Sequence, residues 1–228
     1  MDERLVRLEP LLTKADLEKL KNLRVAVVGL GGVGGTALEA LARSGVGHFL
    51  LIDHDRVQES NLNRQMLYLT TDIGLSKTGV AQRRLQLINP EADVTISDVF
   101  LDETTIDLLD EWKPDFIIDA IDSVASKASL IVWAAAHGCP IVSSLGMGNR
   151  FDPRQVVVTT LGATSHDPLA KALRSELRKR HFEFESVSVV FSFEEPLVKS
   201  RPVASAMTVT STAGLLLAHH LLATICKR

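Results

Sequence analysis

Residues 24–45 read RVAVVGLGGVGGTALEALARSG. A β-branched run leads directly into Gly29, Gly31, Gly32 and Gly34, and an Ala- and Leu-rich helical pattern follows. Glycines let a backbone turn tightly and approach phosphate oxygens with no Cβ in the way, and the helix start adds free N–H groups and a favourable dipole. Asp53 stands at the end of the next apolar run, about 20 residues on, where a carboxylate can bond ribose hydroxyls. The stretch therefore reads as strand, phosphate loop and helix. It does not say which nucleotide, because a dinucleotide dehydrogenase carries much the same fingerprint, and glycines also serve plain helix–strand packing.

Outward from this unit the first half keeps one rhythm. Apolar runs at 25–28, 49–52, 94–96, 116–118 and 141–142 alternate with helical patterns at 33–43, 77–88, 103–110 and 124–136. That alternation predicts a parallel sheet covered by helices, an α/β Rossmann-like doubly wound core. After about Asn149 the pattern changes to strands at 155–160, 187–193 and 203–209, a helix at 167–181 and a last apolar helix. Antiparallel strands at the far side of the sheet are expected there. With no repeat and no long linker, residues 1–228 read as one domain, 1–150 the nucleotide-binding core and 151–228 an extension.

The loop after Asp53 narrows the nucleotide. IDHDRVQESNLNRQMLY brings Asp55, Asn61, Asn63, Arg64 and Gln65 into one polar stretch. A dehydrogenase has no use for an arginine–amide cluster here, whereas a guanidinium fork matches phosphate oxygens. Lys77 opens a helix, where the macrodipole disfavours a cation; an anion between it and the glycine loop would explain it, a surface lysine being the plainer reading. In DFIIDAIDSVASKASLI, Asp119 ends a strand and Asp122 follows in the loop. Asp122 is placed either to hold Mg²⁺ on a polyphosphate or to cap the next helix.

The ordered series GxGGxG, DxD, NLNRQ, a helix-opening lysine and DAIDS resembles the ThiF/ubiquitin-activating superfamily, over roughly residues 4–225. The resemblance implies transfer of AMP from ATP to a substrate carboxylate. It implies ATP contacts at the residues matching Gly31, Asp53, Asp55, Asn61, Arg64, Gln65, Lys77 and Asp122, with Mg²⁺ at Asp122. It further implies a homodimer in which an N-terminal arginine reaches the partner's triphosphate; Arg7 fits that position, with Arg4 as the second choice.

Within the superfamily the second half discriminates. Sulfur-carrier activators usually have two CxxC zinc pairs, but this chain has only Cys139 and Cys226. SSLGMGNRFDPRQVVVTTL, HDPLAKALRSELRKR and VVFSFEEPLV instead resemble the tRNA threonylcarbamoyladenosine dehydratases, which implies a tRNA substrate and leaves room for a sulfur-transfer partner protein. The chain departs from many members in a short 198–203 segment and in the absence of a cysteine from VASAM. Lys171, Arg174 and Arg178 share one helical face and Lys179 and Arg180 extend it, opposite a stripe of Leu169, Leu173 and Leu177. This is either an ordinary solvated face or, on the resemblance, a docking surface for the tRNA backbone.

The remaining features exclude little. With 46% hydrophobic and 23% charged residues and net charge −3, the chain reads as globular, and a local basic patch can still bind phosphates. No signal-peptide core opens the sequence, and the apolar run at 212–225 is shorter than a span and broken by His219 and His220, so a buried or dimer helix and a cytoplasmic location are expected. No general base is identifiable. The competing readings are a sulfur-carrier activator, a non-catalytic nucleotide-binding scaffold and a nicotinamide-dependent oxidoreductase.

Overall fold

The strand of the glycine stretch, β1 (Arg24–Val28), is an interior strand of the sheet. The computed structural model describes residues 2–228. A short helix, α1 (Lys14–Asn22), precedes β1, and then α2 (Gly32–Arg43), β2 (His48–Ile52), α3 (Lys77–Ile88) and β3 (Asp93–Ser97) follow. The chain next crosses to the other side of β1 with α4 (Leu108–Trp112), β4 (Phe116–Asp119), α5 (Val124–Ala136) and β5 (Ile141–Ser144). β6 (Val156–Thr160), α6 (Pro168–Lys179), β7 (Ser188–Ser192) and α7 (Met207–Cys226) complete it. One seven-stranded sheet, ordered β3-β2-β1-β4-β5-β7-β6, runs through both halves of the sequence. β1 pairs in parallel with β2 and β4, β7 with β5, and only β6 at the edge runs antiparallel, against β7. The expected Rossmann-like α/β fold with a late antiparallel pair is present.

The order of strands explains the position of the cleft. The chain winds outward from β1 in one direction through β2 and β3, then restarts at β4 in the other. At this reversal the loops leaving β1 and β4 part, and a crevice opens beyond their carboxyl ends.

Two expected elements differ. Residues 203–209 are not a strand: the segment before Met207 is irregular, with Ala204 bonded through its N–H to the Asn149 side chain and through its C=O to the Asn149 N–H, and Val209 already lies in α7. Its β-branched residues suit a strand, but burial of Val209 and Thr210 against the core overrides propensity. The helix expected at 103–110 starts late: residues 103–107 are turns, and only 108–110 fall in α4. There Asp102 accepts from the N–H and hydroxyl of Thr104, a local alternative to helical pairing.

α7 packs along α2. Gly214 makes the approach possible, since a Cβ there would sit 2.7 Å from the Thr36 Cβ. By length and composition α7 is apolar enough to cross a bilayer, with mean hydropathy 1.4, but its Val209, Ala213, Leu217 and Leu221 stripe is wholly buried in the protein core.

Candidate active site

The glycine loop is held by its neighbours. Gly29 has φ +88°, and a Cβ on it would lie 2.7 Å from the Ala120 carbonyl oxygen, so neither the backbone nor the space admits a side chain. Leu30 is fixed at both backbone groups: its N–H donates to Asp53 Oδ2 at 2.6 Å, and its C=O accepts from the buried Tyr68 hydroxyl at 2.8 Å. Burial, reinforced by the charges of Asp53, Asp55 and Asp72, pushes the Tyr68 phenol well above its ordinary pKa, so it stays a donor. Gly31 is the N-cap of α2 and supplies no side-chain bond to the helix's first N–H groups, which leaves them available to an anion.

Beyond this loop lies a cleft of about 480 Å³, bordered by Gly29, Gly31, Asp53, Asp55, Asn61, Arg64, Gln65, Lys77 and Asp122. Residues far apart in sequence thus converge as expected. Gly32 and Gly34 lie behind the surface, where a Cβ on Gly32 would be 2.6 Å from the Arg64 carbonyl oxygen and one on Gly34 would strike the Gly29 carbonyl.

Charge in the cleft is arranged in pairs. Lys77 is buried, its Nζ 2.7 Å from Asp55 Oδ2 and 4.0 Å from Asp53 Oδ2. The carboxylate of Asp55 therefore offsets the unfavourable placement of this cation at the start of α3. Burial raises the Asp55 pKa, but the hydrogen bond and charge of Lys77 outweigh it and hold the carboxyl below the ordinary range. Asp53, expected to face ribose, already uses both oxygens on backbone N–H groups, of Leu30 and of Asp55. Arg64 donates to the Ser60 carbonyl at 2.7 Å and to Asn63 Oδ1 at 3.0 Å. Asn61 Oδ1 accepts from the Gln58 N–H, and Gln65, 5% exposed, has its Oε1 without a hydrogen-bond partner among the described residues. An orphaned buried acceptor on the wall of a cleft is what a bound ligand's donor would satisfy.

On the third wall the two roles open to Asp122 separate. Ser123 is the N-cap of α5, its Oγ accepting from the Ser126 N–H, so the helix is capped without Asp122. The exposed Asp122 carboxylate makes no ion pair among the described residues. Asp119 is fully buried against Lys127. His54 and Phe100, unremarked in the sequence, meet edge to face at 5.0 Å, and both border the cleft; an aromatic just past the end of β3 was the available signal.

Other candidates lie elsewhere. Arg7 is exposed in an N-terminal segment fastened by Arg4 to Ile88 and Asn89 and packed through Leu5 near Gly45. That is the amino end of β2 and β3, away from the cleft of its own chain. On α6, Lys171, Arg178 and Lys179 are exposed, Arg178 above the Phe184 ring, whereas Arg174 turns back onto Leu161 and Thr164 and Arg180 pairs with Glu103 and Glu176. Burial, with the charge of Asp115, pushes the Cys139 thiol up to about 11, leaving it protonated and a poor nucleophile at neutral pH.

The whole arrangement matches the model of the ThiF family over residues 3–228. The chain belongs to the ThiF family. It is 36% identical to the tRNA threonylcarbamoyladenosine dehydratase of Bacillus subtilis over 239 residues, covering 97% of this chain and 94% of that protein. With the dehydratase of Haemophilus influenzae it shares 40% over 196 residues, 82% of this chain and 74% of that one. Among solved structures it superposes on the Escherichia coli tRNA N6-threonylcarbamoyladenosine dehydratase in complex with ATP with a TM-score of 0.93, at 36% identity, over 98% of this chain and 93% of that one. This ThiF-family chain is thus similar to the dehydratases over nearly its whole length, extension included.

Proposed function

We propose that the chain is an ATP-dependent tRNA threonylcarbamoyladenosine dehydratase. ATP lies along the glycine loop, its phosphates toward the α2 N-terminus and Gly31, its sugar toward Asp53 and Gln65. Asp55 and Asn61 order the loops that carry Lys77 and Arg64. The substrate carboxylate belongs to the threonyl group of the modified adenosine beside the anticodon. It attacks the α-phosphate, the bond to pyrophosphate breaks, and an acyl-adenylate forms. A nucleophile within the same modified side chain then attacks the activated carbonyl, gives up its proton to solvent, closes a ring and expels AMP. The oxygen lost from the carboxylate leaves on AMP, so the nucleoside loses one water overall.

Arg64 and Lys77 stabilise the charge that develops on the phosphates, so catalysis is chiefly positioning and electrostatics. No protein nucleophile enters, in keeping with a protonated Cys139. Asp122, a hard oxygen donor at the cleft rim with no competing ion pair among the described residues, suits Mg²⁺, which keeps one or two carboxylates plus phosphate oxygens. When bound, that ion supplies charge neutralisation on the triphosphate. Arg7 acts in trans, in a homodimer. Lys171, Arg178 and Lys179 contact tRNA phosphates, giving affinity rather than sequence reading.

The observation that carries this reading is the convergence of Arg64, Lys77, Gln65 and Asp122 around a pinned glycine loop, in a chain similar to the dehydratases end to end. The test is mass spectrometry of nucleosides from threonylcarbamoyl-modified tRNA incubated with the protein and ATP. Loss of one water, dependent on ATP and absent with Asp122→Ala, is expected. No change in the nucleoside, with ATP–pyrophosphate exchange stimulated by a ubiquitin-like carrier protein, would move the assignment to the sulfur-carrier activators.

A further inference from the structure

Directly behind Asp122 lies an ion pair that stability alone does not explain. Lys127 and Asp119 both have side chains 0% exposed, with Nζ 2.7 Å from Oδ2. Removing two charges from water is expensive, and an apolar pair of similar volume is often as stable or more so. The ammonium has three donors, and its one side-chain hydrogen bond among the described residues goes to Asp119. What the pair does achieve is local geometry. The other carboxylate oxygen, Asp119 Oδ1, accepts from the Ile121 N–H at 3.1 Å, while the first backbone bond of α5, from the Lys127 N–H to the Ser123 carbonyl at 3.0 Å, fixes the far side of the turn independently of the pair. The residue between those two anchored positions is Asp122. Ala120, in the same turn, is the surface against which Gly29 is packed.

We infer that Lys127 and Asp119 are positioning residues, a buried brace that sets the Ile121–Ser123 turn and so aims the Asp122 carboxylate at the nucleotide's metal. The inference rests on the proposed role of Asp122. Lys127 holds the Asp119 carboxylate in one rotamer, and Asp119 in turn holds the Ile121 amide. Groups standing behind a metal ligand commonly change metal affinity or activity about 10–100-fold when removed.

The test measures ATP binding calorimetrically with Mg²⁺ and with EDTA, and takes the ratio of the two affinities. Two double variants remove both buried charges. Asp119→Asn/Lys127→Met retains an oxygen for the Ile121 N–H, whereas Asp119→Leu/Lys127→Met does not. The ratio is expected to fall about tenfold in the second and by less in the first, where an acceptor for the Ile121 N–H survives but nothing holds it in one rotamer, with affinity in EDTA unchanged in both. A wild-type ratio in both double variants would overturn the inference, because the brace would then serve packing alone. Asp122→Ala is the control: if it leaves the ratio unchanged, the reading of Asp122 fails first and takes the brace with it. Should neither double variant fold, amide hydrogen exchange in the unmodified protein decides. The Ile121 amide is expected to be protected, and exchange at the rate of an unstructured amide would refute the bond on which the brace depends.

Discussion

Replacing Arg64 by alanine separates chemistry from stability. The guanidinium is half-buried, and its hydrogen bonds, 2.7 Å to the Ser60 carbonyl and 3.0 Å to Asn63 Oδ1, are both solvent-exposed. Water replaces such bonds at small loss, about 0.5–1 kcal/mol in total. For a chain of this size that lowers Tm by about 1–4 °C. The backbone of Arg64, which bonds Asn61 and receives the Thr210 hydroxyl, is untouched. On the chemical side the loss is a charged donor in a preorganised site, worth about 3–4 kcal/mol, or 10²–10³-fold in rate. Single-turnover AMP release from ATP with threonylcarbamoyl-modified tRNA, measured beside a thermal melt, reads both. Arg64→Lys retains charge without the planar fork and should fall between. A Tm drop of more than about 10 °C would make the arginine structural, and a rate within about threefold of wild type would remove it from the phosphates.

Two further outcomes follow from the charge pattern. Glu39 is buried between Arg43 and Arg84. Burial raises its pKa, but the two guanidinium groups outweigh that and lower it from 4.5. Its contribution is thus present above the unfolded pKa and lost as pH falls through the folded one. Glu39→Gln should lose about 1–2 kcal/mol at neutral pH and flatten the acid limb of Tm against pH; an unchanged acid limb would refute the assignment. Lys171→Glu/Arg178→Glu should weaken tRNA binding at least tenfold and reduce the slope of log affinity against log salt by about 1–2, read by filter binding, with ATP affinity unchanged.

What the sequence disclosed, and what it hid, follows from the range of each interaction. The glycine loop was legible because its geometry is local: strand, glycines and helix stand in one stretch. That Asp122 borders the cleft was legible because it follows a strand's carboxyl end, and that Arg64 and Lys77 do because an arginine among amides and a cation opening a helix both call for an anion nearby. Spacing placed Asp53 in the cleft but not its partners; only the fold brings Leu30 and Asp55 to its two oxygens. Lys127 was unreadable, since a lysine on the first turn of a helix reads as solvated until the strands bury it. Arg174 belongs to the basic face by helical period, yet period fixes where a Cα–Cβ bond points and not where a long side chain ends, here on the loop at Leu161 and Thr164. The 203–209 segment misled because Val and Thr suit a strand, while the packing of α7 on α2 is a long-range term.

The charge of the cleft leads to the last prediction, that one subunit is not a complete ATP site. Its border has two full cations, Arg64 and Lys77, against three carboxylates, Asp53, Asp55 and Asp122. Lys77 is already neutralised by Asp55 at 2.7 Å. A polyanionic triphosphate entering such a cleft meets a net negative border, which the N–H groups of α2 and one free guanidinium offset only in part. On the proposed function the balance comes from a metal at Asp122 and from Arg7 of a second subunit; within its own chain the Arg7 segment is fastened at the opposite end of the sheet. Arg7→Ala should therefore weaken ATP binding or slow AMP formation about tenfold or more without moving Tm, since Arg7 is exposed. Mixing Arg7→Ala with Arg64→Ala subunits should restore about a quarter to a half of wild-type activity, one intact site per heterodimer. Sedimentation as a monomer at full activity, or no rescue from a mixture shown to form heterodimers, would refute the shared site and require each cleft to balance its charge alone.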